Sequence, residues 1–138
     1  MTIEYRAAVL HGVGGPMTVE PVIASGLGAG DVLVRIKAAG LCHTDLEVIT
    51  GSLRYPLPIV LGHEAAGVIE ELGPNAHGHG AQGLSVGDHV VLSWNPHCGH
   101  CFYCERDLPI LCESYLAHGP KALAFDGTTR PGCATGAK

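Results

Sequence analysis

The fold is decided by the stretch Gly62-His63-Glu64-Ala65-Ala66-Gly67-Val68-Ile69-Glu70-Glu71-Leu72-Gly73, GHEAAGVIEELG in one-letter code. Its remainder, Ala65 to Leu72, is mostly apolar apart from Glu70 and Glu71 and ends at Gly73-Pro74. A short apolar run that is bounded by turn residues is typical of a β-strand. His63 and Glu64, directly before the run, are residue types that bind metal ions. The stretch therefore predicts a strand that begins beside candidate metal ligands.

The remaining chain predicts further strands and one helix. The run from Asp31 to Ala38 alternates apolar and polar-leaning positions, which indicates a strand with one partly polar face. The segment His43–Thr50 contains no Gly or Pro and is followed by Gly51, which predicts a short helix with a glycine stop. The other predicted strands are Tyr5–Leu10, Met17–Ile23 and His89–Trp94, and Tyr55–Pro58 is predicted to be extended.

Composition limits the class of protein. A chain of 138 residues fits one domain, 46% apolar content permits a buried core, and 20 Gly with 9 Pro suit short strands joined by turns. The net charge of −5 without a basic run disfavours nucleic acid as a partner. Neither a membrane span nor a signal-peptide core is present, so a cytoplasmic protein is expected. The predicted fold class is mainly β with short helices.

Four cysteines form the strongest local motif. Cys98, Cys101, Cys104 and Cys112 lie within 15 residues in the spacing Cys-x2-Cys-x2-Cys-x7-Cys, in a loop of about 95–113 with little periodicity. Short Cys-x2-Cys steps wrap thiolates around a tetrahedral zinc ion, and zinc binding stabilises a segment that buries little. A closed four-thiolate site predicts a structural role. Two disulfides or an iron–sulfur cluster are the alternatives; the first conflicts with the compartment and the second with the spacing.

A second group of candidate metal ligands lies upstream. Cys42 opens the predicted helix, and His63 follows it by 21 residues. A catalytic zinc usually has three protein ligands and one open position. Asp45 or Glu64 could orient a ligating histidine. Residue type alone leaves a structural alternative open, because buried cysteines and hydrogen-bonded core histidines are common.

Three motifs together resemble a known family. The stretch 62–73 is similar to the zinc alcohol dehydrogenase signature Gly-His-Glu-x2-Gly-x5-Gly. Ala39–Asp45 resembles the segment that supplies the family's first catalytic zinc ligand, and Val86–Val90 and the four cysteines follow in the family's order. From about Tyr5 onward the chain resembles a zinc-dependent medium-chain dehydrogenase/reductase (alcohol dehydrogenase). The resemblance implies the N-terminal GroES-like catalytic domain, a partly open barrel that carries the four-cysteine zinc lobe.

The resemblance also implies a reaction and residue roles. The full-length protein is expected to transfer a hydride between an alcohol, whose oxygen zinc binds and acidifies, and NAD or NADP. The implied roles at the metal are Cys42 and His63 as catalytic zinc ligands, Glu64 beside the metal, and Asp45 hydrogen-bonded to His63. The other implied roles are proton removal by the Thr44 hydroxyl, coenzyme pyrophosphate contact by His43, and a substrate pocket walled by Trp94 and Leu53.

Two positions depart from the family pattern. Many relatives end the proton relay at a histidine in the short helix, where this chain has Glu47, so the proton is expected to leave through this carboxylate or directly to water. The family's third catalytic ligand is usually a cysteine well beyond the zinc lobe. Cys133 lies only 21 residues past Cys112 and is interpreted as a free thiol.

The string Gly78-His79-Gly80-Ala81-Gln82-Gly83 matches G-x-G-x-x-G, but it precedes a strand and is predicted to be a hairpin loop. The sequence is thus expected to be the N-terminal part of the catalytic domain, with 120–138 a loop and the nucleotide-binding Rossmann domain absent. Such a fragment is expected to be inactive alone, whereas the full-length enzyme is expected to form a homodimer or homotetramer.

The sequence leaves three alternatives open. The chain could be a stand-alone zinc domain on the GroES-like barrel that serves as a scaffold. It could also be a zinc-free quinone reductase relative, although Cys42, His63 and the four cysteines argue against that class. A polyol-type site would use Glu64 as a direct zinc ligand.

Overall fold

The computed structural model describes residues 3–24, 26–76 and 83–121. The chain divides into two compact units. The first unit comprises Met1–Gly26, Leu41–Gly62 and Ala117–Lys138, and the second comprises Leu27–Gly40 and His63–Leu116. The strands and α-helices are β1 Ile3–Leu10, β2 Met17–Ala24, β3 Val32–Ala39, α1 His43–Thr50, β4 Ile59–Val60, β5 Ala65–Leu72, β6 His89–Val91 and α2 Glu113–His118. Single-turn 3-10 helices lie at Cys104–Arg106, Pro109–Leu111 and Gly119–Lys121.

The first unit is built on an antiparallel sheet with the strand order β2-β1-β4. Leu10, at the end of β1, pairs with Met17 on one side and Ile59 on the other. Leu10 and Ile59 are buried together with Val48 of α1. The first unit therefore has its core where the end of β1 meets the helix that follows Cys42. The partly buried side chains around this core are Ile49, Leu53, Tyr55, Leu57 and Leu61.

The second unit is built on an antiparallel sheet with the order β3-β5-β6. Ile69 of the central strand β5 is buried. Gly67 of the same strand lies so close to the carbonyl of Arg35 on β3 that a Cβ there would overlap it. Glycine thus permits the close approach of the two strands, and an exposed ion pair between Arg35 and Glu70 links the same strands.

The predicted fold class, mainly β with short helices, is confirmed. The bounds of α1 and β5 match the prediction, and β1, β2 and β3 differ by one or two residues. The strand predicted for His89–Trp94 is too long, because β6 ends at Val91. Val91 pairs with Ala66, and the Leu92 N–H donates to the carbonyl of Ala65, the first residue of β5. The partner strand ends there, so β6 has nothing further to pair with.

Several predictions concern residues outside the described ranges. They are most of the hairpin loop predicted at Gly78–Gly83, the free thiol Cys133, and the loop predicted for 120–138 beyond Lys121. Across residues 3–24, 26–76 and 83–121, no helix has both the length and the apolar character needed to cross a bilayer.

Candidate metal centre and its surroundings

The four cysteines of the zinc lobe converge in the second unit. The sulfurs of Cys98, Cys101, Cys104 and Cys112 all lie within 4.8 Å of one another. The Sγ–Sγ distance is 3.5 Å between Cys101 and Cys104 and 4.0 Å between Cys98 and Cys104. A tetrahedron with Zn–S bonds of about 2.3 Å has sulfur–sulfur edges of about 3.8 Å. A disulfide would need about 2.05 Å, and these cysteines are free. The spacing of the four sulfurs therefore fits a zinc ion.

Backbone turns bring the sulfurs together. Gly99, between the first two cysteines, adopts φ +80°, a conformation that glycine reaches without a steric penalty. The single helical turn Cys104–Arg106 is followed by Asp107, which adopts φ +57° and donates its N–H to the Cys104 carbonyl at 3.2 Å. The Cys98 N–H donates to the Cys112 sulfur at 3.3 Å. The loop that lacked a periodic pattern is thus organised around its thiols.

The surroundings favour the thiolate form at three of the four cysteines. The pKa of Cys98 is lowered chiefly by the main-chain N–H of His100, and the pKa of Cys101 chiefly by that of Cys104. Burial acts to raise the pKa of Cys112, but main-chain donors led by Tyr115 outweigh it, and the pKa is lowered. Burial raises the pKa of Cys104 to about 11. Because zinc binds thiolates, the hydrogen-bond donors around this centre suit a metal site.

Cys42, Thr44 and Asp45 lie together at the start of α1 in the first unit. Cys42 is the N-cap residue, and its thiol donates to Thr44 Oγ1 at 3.5 Å. Asp45 is only 7% exposed. Its Oδ2 accepts a hydrogen bond from the Cys42 N–H at 3.0 Å, and its Oδ1 accepts one from the Gly62 N–H at 3.2 Å. The predicted hydrogen bond from Asp45 to the His63 ring stays a prediction.

His63, Glu64 and Trp94 belong to the second unit. The His63 and Trp94 rings are 6.5 Å apart between centroids, and the Trp94 and Tyr115 rings form a T-shaped pair with centroids 6.0 Å apart. Glu64 is exposed, and its carboxylate lies over Gly40. Sequence reasoning missed Gly40 and Tyr115. The sequence offered one signal for each: Gly40 lies two residues before Cys42, and Tyr115 lies three residues after Cys112.

The other predicted site residues lie in the first unit. His43 is exposed at the first turn of α1, and Glu47 is half-buried one turn further along. Leu53 is half-buried and lines a cavity of about 450 Å³ with Val13 and Tyr55. Leu53 and Trp94 are therefore carried by different units. Their shared substrate pocket stays a prediction.

Comparisons with known proteins converge on one family. The family model described as the alcohol dehydrogenase GroES-like domain matches residues 28–136. The chain is 46% identical over 111 residues to the NDMA-dependent alcohol dehydrogenase of Amycolatopsis methanolica, covering 80% of this chain and 29% of that protein. It is 47% identical over 128 residues to the geraniol dehydrogenase of Castellaniella defragrans, covering 93% of this chain and 31% of that protein.

Structural similarity points the same way. The crystal structure of an alcohol dehydrogenase zinc-binding domain protein from Burkholderia ambifaria superposes with a TM-score of 0.83 at 41% identity, covering 94% of this chain and 34% of that chain. The chain thus spans about a third or less of the length of the proteins that it matches.

Proposed function

The chain belongs to the alcohol dehydrogenase family with a GroES-like domain, and from this membership we propose that the whole protein interconverts alcohols with aldehydes or ketones, using NAD or NADP. The geraniol dehydrogenase relative suggests allylic and other primary alcohols as the first substrates to test. The observation that carries the proposal is the start of α1, where the Cys42 thiol and the Thr44 hydroxyl lie 3.5 Å apart. This contact supports a proposed metal ligand and a proposed proton-transfer group side by side.

The four-cysteine centre is proposed to hold a structural zinc. The sulfur spacing supports four-coordinate binding. A site closed by four protein thiolates leaves no position for water or substrate. The lobe therefore stabilises the fold and takes no part in the reaction.

We propose a second, catalytic zinc that Cys42 and His63 help to hold. Thiolate and imidazole are ligands that zinc favours, and Glu64, next to His63, is a nearby or transient ligand in this proposal. A catalytic zinc usually has three protein ligands, so a third ligand completes the proposed site. When bound, this zinc supplies Lewis-acid polarisation of an alcohol oxygen, and the nicotinamide coenzyme accepts the hydride.

Thr44 is proposed to take the alcohol proton. A hydroxyl both accepts and donates, so Thr44 can receive a proton from the substrate and pass another on. Its side chain is half-buried, whereas the neighbouring His43 is exposed. The exposed His43 suits contact with the coenzyme pyrophosphate, and the half-buried Glu47 is proposed as a route for the proton to water. Trp94 and Leu53 are proposed to wall the substrate pocket.

The test compares two threonines of α1 in the whole protein that contains this sequence. Alcohol-dependent reduction of NAD and NADP is measured for the unchanged protein, Thr44→Val and Thr50→Val. Loss of general acid–base catalysis at Thr44 is expected to lower kcat about 100- to 10,000-fold. Thr50 is exposed and bonds to Glu47 and Ser52, although it also lines the cavity beside Leu53. Thr50→Val is therefore expected to lower kcat far less than Thr44→Val. Full activity in Thr44→Val, or no alcohol oxidation with either coenzyme in the unchanged protein, would contradict the proposal.

The 138-residue chain by itself is proposed to lack this activity. It spans about 30% of the length of its curated relatives, and the proposed reaction needs a coenzyme site in addition to the zinc ligands. Steady alcohol-dependent turnover by the purified chain would refute this part of the proposal.

A further inference from the structure

Asp45 connects two segments of the first unit that are 17 residues apart. Its Oδ2 accepts the N–H of Cys42 at 3.0 Å, and its Oδ1 accepts the N–H of Gly62 at 3.2 Å. Cys42 is itself a proposed zinc ligand. Gly62 immediately precedes His63, the second proposed ligand, in the chain. One buried carboxylate thus fixes the main chain at one proposed ligand and at the residue preceding the other.

We propose that Asp45 is a positioning residue that acts on the catalytic metal site through the main chain, by holding the Cys42 and Gly62 amides with one carboxylate. This inference rests on the proposed function, because it takes Cys42 and His63 to be zinc ligands. The role differs from orienting the imidazole ring of His63, and it requires no contact between Asp45 and that ring.

The chemistry of the carboxylate suits this role. Each oxygen has its own N–H donor, and an ionised acceptor makes stronger hydrogen bonds than a neutral one. Asp45 is 7% exposed, so water competes little for either oxygen. An asparagine at this position could accept only one of the two N–H groups, and its own NH₂ would face the other donor.

Gly62 has a main-chain conformation that benefits from a fixed hydrogen bond. It adopts φ +107°, in a region open chiefly to glycine, and glycine is the residue with the greatest conformational freedom. The hydrogen bond from Gly62 to Asp45 restricts that freedom directly before His63. A cap that served α1 alone would need only the Cys42 amide.

Amide hydrogen exchange tests the two hydrogen bonds to Asp45 without reference to activity. Exchange is followed by NMR on the zinc-loaded 138-residue chain. The Gly62 and Cys42 amides are expected to exchange at least about 10-fold more slowly than unprotected amides, since each donates to a buried acceptor. Asp45→Asn is expected to remove the protection of at least one of them, and Asp45→Ala that of both. Asp88→Asn is the matched control, because Asp88 also accepts a main-chain N–H, that of Ser85 at 2.8 Å, but in an exposed turn.

The result in the unchanged chain is decisive even if the Asp45 variants fold poorly. Unprotected exchange at Gly62 in the unchanged chain overturns the proposal. Loss of protection at Cys42 and α1 alone, with Gly62 unaffected by Asp45→Ala, also overturns it, because Asp45 would then be an ordinary helix cap.

Zinc affinity of the whole protein tests the link to the metal site. The affinity for the second, more weakly held zinc is measured by competition with a chromophoric chelator. Asp45→Asn is expected to lower this affinity about 10- to 100-fold, the usual loss when a group that orients metal ligands is removed. The four-cysteine zinc should be unchanged. If Asp45→Asn removes the amide protection but leaves the affinity for the second zinc unchanged, the positioning role is refuted. Absence of a second zinc in the unchanged protein would refute the proposed function, and the positioning role with it, while the amide results would still stand.

Discussion

The main-chain N–H of Gly40 donates a hydrogen bond of 2.8 Å to the carbonyl oxygen of Glu64, and the Glu64 carboxylate fills the space that a Cβ on Gly40 would occupy. Gly40 directly follows β3, and Glu64 directly precedes β5, so this contact closes the end of the β3–β5 ladder. The absence of a side chain at residue 40 therefore decides where the carboxylate next to His63 lies.

Replacing Gly40 with alanine is expected to displace the Glu64 side chain and to destabilise the chain by about 1 kcal/mol, the low end for overpacking, because the nearest obstacle is the flexible end of a side chain. Urea unfolding measures the change. Gly12→Ala is the control, since nothing lies within 4 Å of a Cβ there, and it should be near neutral. Gly67→Ala should cost more than Gly40→Ala, because its Cβ would meet the main-chain carbonyl of Arg35. Equal effects of all three would contradict this explanation.

A double-mutant cycle isolates the Gly40–Glu64 contact. The stability loss caused by Gly40→Ala is attributed to overlap with the Glu64 carboxylate. The loss should therefore be smaller when Glu64 is also replaced by alanine, with a coupling energy of about 0.5 kcal/mol or more. Strictly additive effects in urea unfolding would show that the cost arises elsewhere.

Removing one lobe thiol is expected to abolish stable zinc binding there. Cys112 is fully buried, and its sulfur accepts the Cys98 N–H. Cys112→Ser should reduce the zinc content of the purified chain from one bound ion at the lobe to well below one. Apparent binding energies of about 10–16 kcal/mol at structural sites imply that the lobe loses its fixed structure at the same time. Cys42→Ser, outside the lobe, should leave this zinc in place. A Cys112→Ser chain that holds zinc as tightly as the unchanged chain would argue against a four-thiolate site.

Trp94 is expected to report the state of the lobe. It is the one tryptophan in the sequence, is 55% exposed, and its ring packs against Tyr115, three residues after Cys112. Chelation of the lobe zinc should free the Tyr115 segment, lower the fluorescence anisotropy of Trp94 and move its emission modestly to the red. In a Tyr115→Ala variant the response to the chelator should be smaller. An unchanged signal on complete zinc removal would mean that the segment is held without metal.

The core of the first unit is expected to depend on Leu10. Leu10 is 0% exposed and packs with Val48 and Ile59, so Leu10→Ala should lower the free energy of unfolding by about 2–5 kcal/mol. Val19, on β2, is 61% exposed, and Val19→Ala should change it by no more than about 0.5 kcal/mol. Thermal or urea unfolding of both variants checks the difference. A cost for Leu10→Ala as small as that for Val19→Ala would contradict this placement of the core.

Local patterns determined most elements of the fold. The helix at His43–Thr50 could be predicted because its stop signal, Gly51, is part of the local sequence and adopts φ +83° in the structure. The strand at Ala65–Leu72 could be predicted because its limits are set by its own apolar run and the turn that follows. The end of β6 and the short strand Ile59–Val60 could not, because each depends on a partner strand that is remote in the chain.

The same division holds for the candidate sites. By itself, the sequence determined the identity and spacing of the four lobe cysteines, because closely spaced ligands can reach one ion through local turns. Only the tertiary structure decided that Asp45 joins Cys42 to Gly62 and that the Glu64 carboxylate lies over Gly40. The Asp45–Cys42 contact is local to the start of α1, but Asp45 and Gly62 are 17 positions apart and Gly40 and Glu64 are 24 apart. The geometry of these two longer-range contacts follows from how strands and helix pack rather than from any local pattern.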